Sequence, residues 1–544
     1  MLGRAPAVRR SREAWYLGWL AALAVSCLLL SSMPARAQRA PVDPTTYRRP
    51  LGNDPRSLDP VRISDVYSRS VAQQIFDGLV RLDHTLTVAP ALAEFWRASR
   101  DGLTWTFTLR RGVRFHHGRE VTADDVVFSF SRILDPRLKS SAAESFMPIK
   151  GARAFREGKA RTVEGLQALD ARTVQVTLDE AFAPFVSVLA LGHAKILPRE
   201  IVEAKGEAFG REPVGTGPFR FAQWDRGRSL TLAANRGYFE GPPRLARIVY
   251  RIFPGDNSVA MFDEFQKGLL EDSQVPTQGH RGITTGAGAA YVYVKRPMFN
   301  LRYYGLNARI KPLDDRRVRL AIVRAIDQAP ILADVFGGRF TPARGILPPG
   351  TLGFNPQLRV AAPDPRVARE LLAQAGYPDG RGLPPIVFWS AARSERVVRE
   401  HELMARDLAA VGITAQFRYE TDWPAFQKLL EEGRLPAFLY AWYADAPDPD
   451  NFLYLLFHSQ SPRNYSGYAS PAVDGLLVQA RAEADLSRRV DLYRRAEQLI
   501  VDDGALLPVW HYPYERVFQP YVRSVEVNGL GDPYIPMRKI WLEP

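Results

Sequence analysis

Apolar residues along the chain recur at two spacings, every three to four residues in some stretches and every second residue in others. That mixture predicts an α/β protein. Val71, Ala72, Ile75, Phe76 and Leu79 share one helical face, with Gly78 placed where a glycine eases termination. LTWTFTL at 103–109 alternates like a strand, and residues 112–115 add a short extended piece. Thr122 stands three residues before Asp125 at the head of an apolar run, a capping box that predicts a helix starting at 123. Strands are expected at 174–178, 229–232, 248–253, 291–294 and 301–307. Helices are expected at 313–327, where Val318, Ile322, Ala325 and Ile326 make the packing face, and at 399–410, before a strand at 413–419. VGTGPFRF at 214–221 reads as a tight turn that opens into a strand. The tail looks integrated: Leu506 to Trp510 is apolar, and Val525 and Val527 fall on one side of a short strand. No fixed repeat runs through these elements, which argues against a barrel or a solenoid.

Length and composition then set the scale. A chain of 544 residues is too long for one ordinary core and implies two or three domains, with a boundary placed between 270 and 312. At 46% hydrophobic and 24% charged, it is globular rather than disordered. Residues 1–40 read as an export region. Arg4, Arg9, Arg10 and Arg12 precede the apolar run AWYLGWLAALAVSCLLL, and Ala35-Arg36-Ala37 supplies a small-residue cleavage site. Retention as a membrane anchor, twin-arginine export and lipidation at Cys27 stay open as alternatives. Past residue 37 no apolar run is long enough to span a bilayer. The net charge of +13 is dispersed, and Arg316, Arg317 and Arg319 follow Asp314 and Asp315, so no concentrated basic patch marks a nucleic-acid surface.

The chain offers little that looks catalytic. His116 and His117 are adjacent, so on a strand they point to opposite faces and make a poor zinc pair. No serine sits in a Gly-x-Ser-x-Gly frame. The glycines at 215 and 217 are followed by no Lys-Ser or Lys-Thr, which removes the phosphate-loop reading. Asp448 and Asp450 flank Pro449, and their spacing alone does not establish a carboxylate pair. The expectation is a binder with no cofactor and no metal, not an enzyme.

Six blocks, taken in order, resemble the large peptide, dipeptide and nickel solute-binding proteins of bacterial ABC importers, extracellular solute-binding protein family 5. They are NDPRSLDP at 53–60, QQIFDGLVRLD at 73–83 and LTWTFTLRRGVRFHHGREVTADDVVFSFSRILDP at 103–136, then VGTGPFRF at 214–221, LDDRRVRLAIVRAID at 313–327 and WYADAPDPDNFLYLLF at 442–457. The resemblance implies a large two-lobed periplasmic binding protein-like α/β fold of type II, with an extra subdomain in the first lobe. It places that lobe at 41–310, the second at 311–500, and a return to the first at 501–544. It also implies a monomer in the periplasm that delivers a short peptide or related small solute to ABC permease subunits, with inner-membrane association where the N-terminus is uncleaved or lipidated. A nickel chelate or other nonpeptide solute, a peptide-binding chaperone and a hidden hydrolase are the alternatives.

The same resemblance nominates ligand contacts. In dipeptide-binding relatives the aspartate of the matching motif meets the ligand's α-ammonium, a role that carries over to Asp445, with Trp442 as an apolar wall and Tyr443 beside it. Leu439 stands where some binders of longer peptides place an arginine. Arg393 is the candidate partner for a ligand carboxylate.

Overall fold

The computed structural model describes residues 1, 3, 43–255, 257–276, 282–283, 291–340 and 342–544. Cys27 and the cleavage site at 35–37 lie outside the described residues. The chain divides into two compact units, Met1–Asp43 and Pro44–Pro544, and the architecture below is that of the second. Among the described residues no helix is long and apolar enough to cross a membrane.

Among the described residues, four sheets of three or more strands carry the unit. Thr46–Leu51, Arg247–Ile252, Ser229–Ala234 and Phe219–Asp225 lie side by side, the first pair parallel and the others antiparallel. An antiparallel sheet of Ala93–Ala98, Thr104–Leu109, Thr173–Thr177 and Leu166–Asp170 covers the helix Ala123–Leu134. That helix starts at its predicted capping box, where Thr122 N donates to Asp125 Oδ2 at 2.9 Å. The strand Pro513–Phe518 lies between Asp272–Gln274 and Val292–Pro297. The fourth sheet runs Ala415–Tyr419, Ile386–Ser390, Ala437–Tyr443, Asn300–Leu306, Leu506–Trp510.

Around Asn300–Leu306 this last sheet is covered on both faces, which explains why NLRYYGL at 300–306 is buried at every position. One face carries a core with Tyr304, Phe388 and Leu507 under the helices Arg316–Ala325, Pro365–Gln374 and Glu395–Ala409. The other carries Leu301, Tyr303 and Phe438 under helices that include Asp450–Phe457, Pro471–Ala482 and Leu486–Asp502.

Element edges shift from the sequence expectations in several places, as where the helices expected at 313–327 and 399–410 are Arg316–Ala325 and Glu395–Ala409. The helix expected over 71–79 is Val66–Ile75, because Asp65 caps it by accepting from Ser68 N at 2.7 Å and Phe76 is already extended. The strand expected over 523–527 is Val522–Arg523, since Ser524 has a φ of 60°, a left-handed conformation that breaks an extended run. The turn at 214–221 forms as expected, and its glycines answer a packing need. A Cβ on Gly215 would lie 2.2 Å from Ile75 O, and one on Gly217 2.5 Å from Ile75 C. His116 closes this loop: its Nδ1 accepts from Gly215 N at 3.3 Å and its Nε2 lies 3.0 Å from Gly217 O. Burial lowers its pKa to about 4, so the ring stays neutral in this structural role.

Candidate functional site

Two short segments carry the chain between the three-stranded sheet and the five-stranded one. Met298–Phe299 joins Val292–Pro297 to Asn300–Leu306, and His511–Tyr512 joins Leu506–Trp510 to Pro513–Phe518. Asn300 ties them together. Its Nδ2 donates to Met298 O at 3.2 Å and Tyr512 O at 2.9 Å, its Oδ1 accepts from Tyr512 N at 2.7 Å, and its carbonyl meets His511 Nδ1 at 2.6 Å.

A cavity of about 760 Å³ opens beside this junction. Ser258, Gln274 and Val275 line it from one side, and the five-stranded sheet and its loops from the other. Its wall is aromatic. Phe340 stacks on Trp510 with centroids 5.4 Å apart, and Tyr443 stacks on Tyr512 at 6.2 Å. Three arginines reach it: Arg302, Arg339 and Arg396. Arg302 is buried and forms a two-pronged pair with Glu400 at 2.8 and 2.9 Å, its guanidinium 3.9 Å from the Trp510 ring centre. Burial works against that charge, and the Glu400 carboxylate more than offsets it, leaving the Arg302 pKa raised. Arg339 pairs with Glu515. Arg396, by contrast, has no ion pair among the described residues.

The nominated residues divide. Tyr443 lines the cavity. Trp442, its neighbour on the strand, faces the other way by the strand's alternation and packs against the core there, with Nε1 donating to Asn451 Oδ1 at 3.1 Å. Asp445 lies beyond the lining. Its Oδ1 is 2.9 Å from Arg69 Nη1, and its backbone N–H donates to the same Asn451 oxygen at 3.2 Å. Arg393 is exposed, with its guanidinium 5.6 Å from the Tyr419 ring. Arg396, three residues later, is the member of that pair on the cavity wall. Asp448 and Asp450 are ion-pair partners rather than a carboxylate dyad: Arg489 holds the first at 2.6 Å and Arg481 the second at 2.7 Å. Sequence reasoning passed over Arg302, Arg396 and Arg69. Arg302 alone left a legible signal, a charge inside an aromatic strand, where burial demands a partner. Among the described residues no three His, Cys, Asp or Glu side chains gather as a metal site.

The profile of bacterial extracellular solute-binding proteins, family 5, matches residues 87–464. The chain belongs to this family. Among family relatives, the heme-binding protein A of Haemophilus influenzae is 30% identical over 506 residues, covering 89% of this chain and 90% of that one. The dipeptide-binding protein of Escherichia coli is 31% identical over 472 residues, 82% and 85% of the two chains. The periplasmic binding protein DppA of Helicobacter pylori, solved in complex with the peptide STSA, superposes with a TM-score of 0.75 at 28% identity, covering 92% of this chain and 98% of that one. The fold described above is thus that of a family 5 two-lobed α/β binding protein, and the chain is a solute-binding component.

Proposed function

We propose that this chain captures a short peptide in the 760 Å³ cleft and hands it to the permease of an ABC importer, working as a periplasmic monomer without chemical turnover. The cleft itself carries the reading: an apolar aromatic wall with a few fixed charges suits a small amphipathic ligand. Dipeptide-binding relatives and the peptide-bound structure support the ligand class. In this proposal the lobes are those the resemblance implies, a first lobe with its extra subdomain, a second lobe and a tail that returns to the first, but the expected boundaries at 310 and 500 move, because Asn300–Leu306 and Leu506–Trp510 pair within the five-stranded sheet. The strand pairings favour crossing points at 298–299 and 511–512. The amine end of the peptide passes Tyr443 to reach Asp445, whose loop Trp442 steadies through their shared Asn451. The carboxylate end meets Arg396, with Arg393 just outside it.

Native mass spectrometry of the protein purified with its endogenous ligand tests this. A bound, unmodified short peptide is the expected result. Recovery of a nickel chelate or another nonpeptide solute rejects the ligand class, and sustained release of hydrolysed product rejects the binder reading. Within the peptide reading, Asp445→Asn is expected to abolish any preference for a free amine over its N-acetylated form in isothermal titration.

A further inference from the structure

Resting on the reading of Asp445 as the ammonium contact, we propose that Arg69 is a specificity-determining residue: it already occupies one oxygen of Asp445 and thereby weakens the demand for a free α-ammonium, so the cleft takes N-blocked peptides nearly as well as free-amine ones. Arg69 comes from the helix Val66–Ile75, more than three hundred residues away in sequence, and its Nη1 lies 2.9 Å from Asp445 Oδ1. The arginine side chain is only 14% exposed, whereas that of Asp445 is 43% exposed. The pair is therefore anchored on the arginine side, with the carboxylate at the rim.

Several contacts hold Arg69 in place. The aliphatic part of the chain packs against Gly192, where a Cβ would sit 3.1 Å from Arg69 Cγ. The nearby imidazole, His193, is engaged elsewhere, with Nε2 2.7 Å from Ile63 O. Asp65, which adds a weaker attraction, is committed to the helix cap through Ser68 N. Asp445 is accordingly the carboxylate that balances this guanidinium, and Arg69 Nε has no partner among the described residues.

A ligand ammonium therefore does not replace Arg69 without leaving a buried charge unpaired. It shares the carboxylate, using Oδ2, and meets a like charge across it. The result is a site in which the chain supplies the cation that a free amine brings, so an uncharged N-terminal amide is accepted at little loss.

Isothermal titration with Ala-Phe and N-acetyl-Ala-Phe measures this directly. Wild type is expected to favour the free amine by less than about tenfold. Arg69→Gln is expected to widen that preference by at least about tenfold, and Arg69→Lys, which keeps the charge, to resemble wild type. In Asp445→Asn and in the double variant the preference disappears. An unchanged preference in Arg69→Gln, together with its loss in Asp445→Asn, overturns the inference and leaves the ammonium reading standing. A preference that survives Asp445→Asn sinks the ammonium reading itself. Arg69→Lys behaving like Arg69→Gln shows a packing role and also overturns the inference, as does binding of neither probe to any variant.

Discussion

At the scale of single residues, the molecule is held by buried charges whose partners lie far along the chain. Glu497 shows the cost most clearly. Its Oε1 accepts from Ile346 N at 2.8 Å and Leu347 N at 2.9 Å, while Oε2 is buried without a partner among the described residues. Burial pushes its pKa from 4.5 to about 7. Between those two values the folded state keeps a proton that the unfolded state has released, so stability falls as pH rises through that window, by roughly 3 kcal/mol at most. Glu497→Gln is expected to remove this slope, seen as a shrinking stability difference from wild type when urea midpoints are compared at pH 4.5 and 7.5. An unchanged wild-type slope in the variant rejects the assignment. Such groups are hard to read from sequence. Asp448 and Asp450 look alike on either side of Pro449, and only the fold reveals that their arginines stand 41 and 31 residues downstream. Asp445 stands in a motif that the sequence displays, but Arg69, its ion-pair partner, belongs to no motif.

At the scale of elements, periodicity locates strands and helices but says nothing of which strands meet. The strand Asn300–Leu306 was visible as an extended run, and so was Leu506–Trp510. Their antiparallel pairing joins residues two hundred apart, which no local pattern encodes. Asn300 makes the junction between crossing segments specific, because both ends of its amide are used by backbone groups of Met298 and Tyr512. Asn300→Ala leaves the Tyr512 N–H without that acceptor and is expected to cost about 1–3 kcal/mol. Chemical denaturation measures that loss, and a variant as stable as wild type shows that the tie is dispensable. Element edges moved where a side chain outweighed the pattern, as with the Asp65 cap that draws its helix back to Val66.

At the scale of the whole molecule, the family fold was legible because its blocks are ordered along nearly the whole chain, while the cleft was not, since its wall is assembled from segments as distant as Ser258 and Glu515. In the proposed function, ligand shifts the molecule toward a closed form. Small-angle scattering is expected to show a smaller radius of gyration on saturation with peptide, and an unaltered radius at saturation rejects closure. The path of the chain carries one more consequence. Pro513–Phe518 is the central strand of its sheet, flanked by two strands made more than two hundred residues earlier. In a chain delivered N-terminus first to the compartment where it folds, Asp272–Gln274 and Val292–Pro297 lack the strand they share until the last part of the protein arrives. The order of delivery thus leaves this sheet to be completed last, and a product stopped near residue 510 lacks the strand that fills the gap between them.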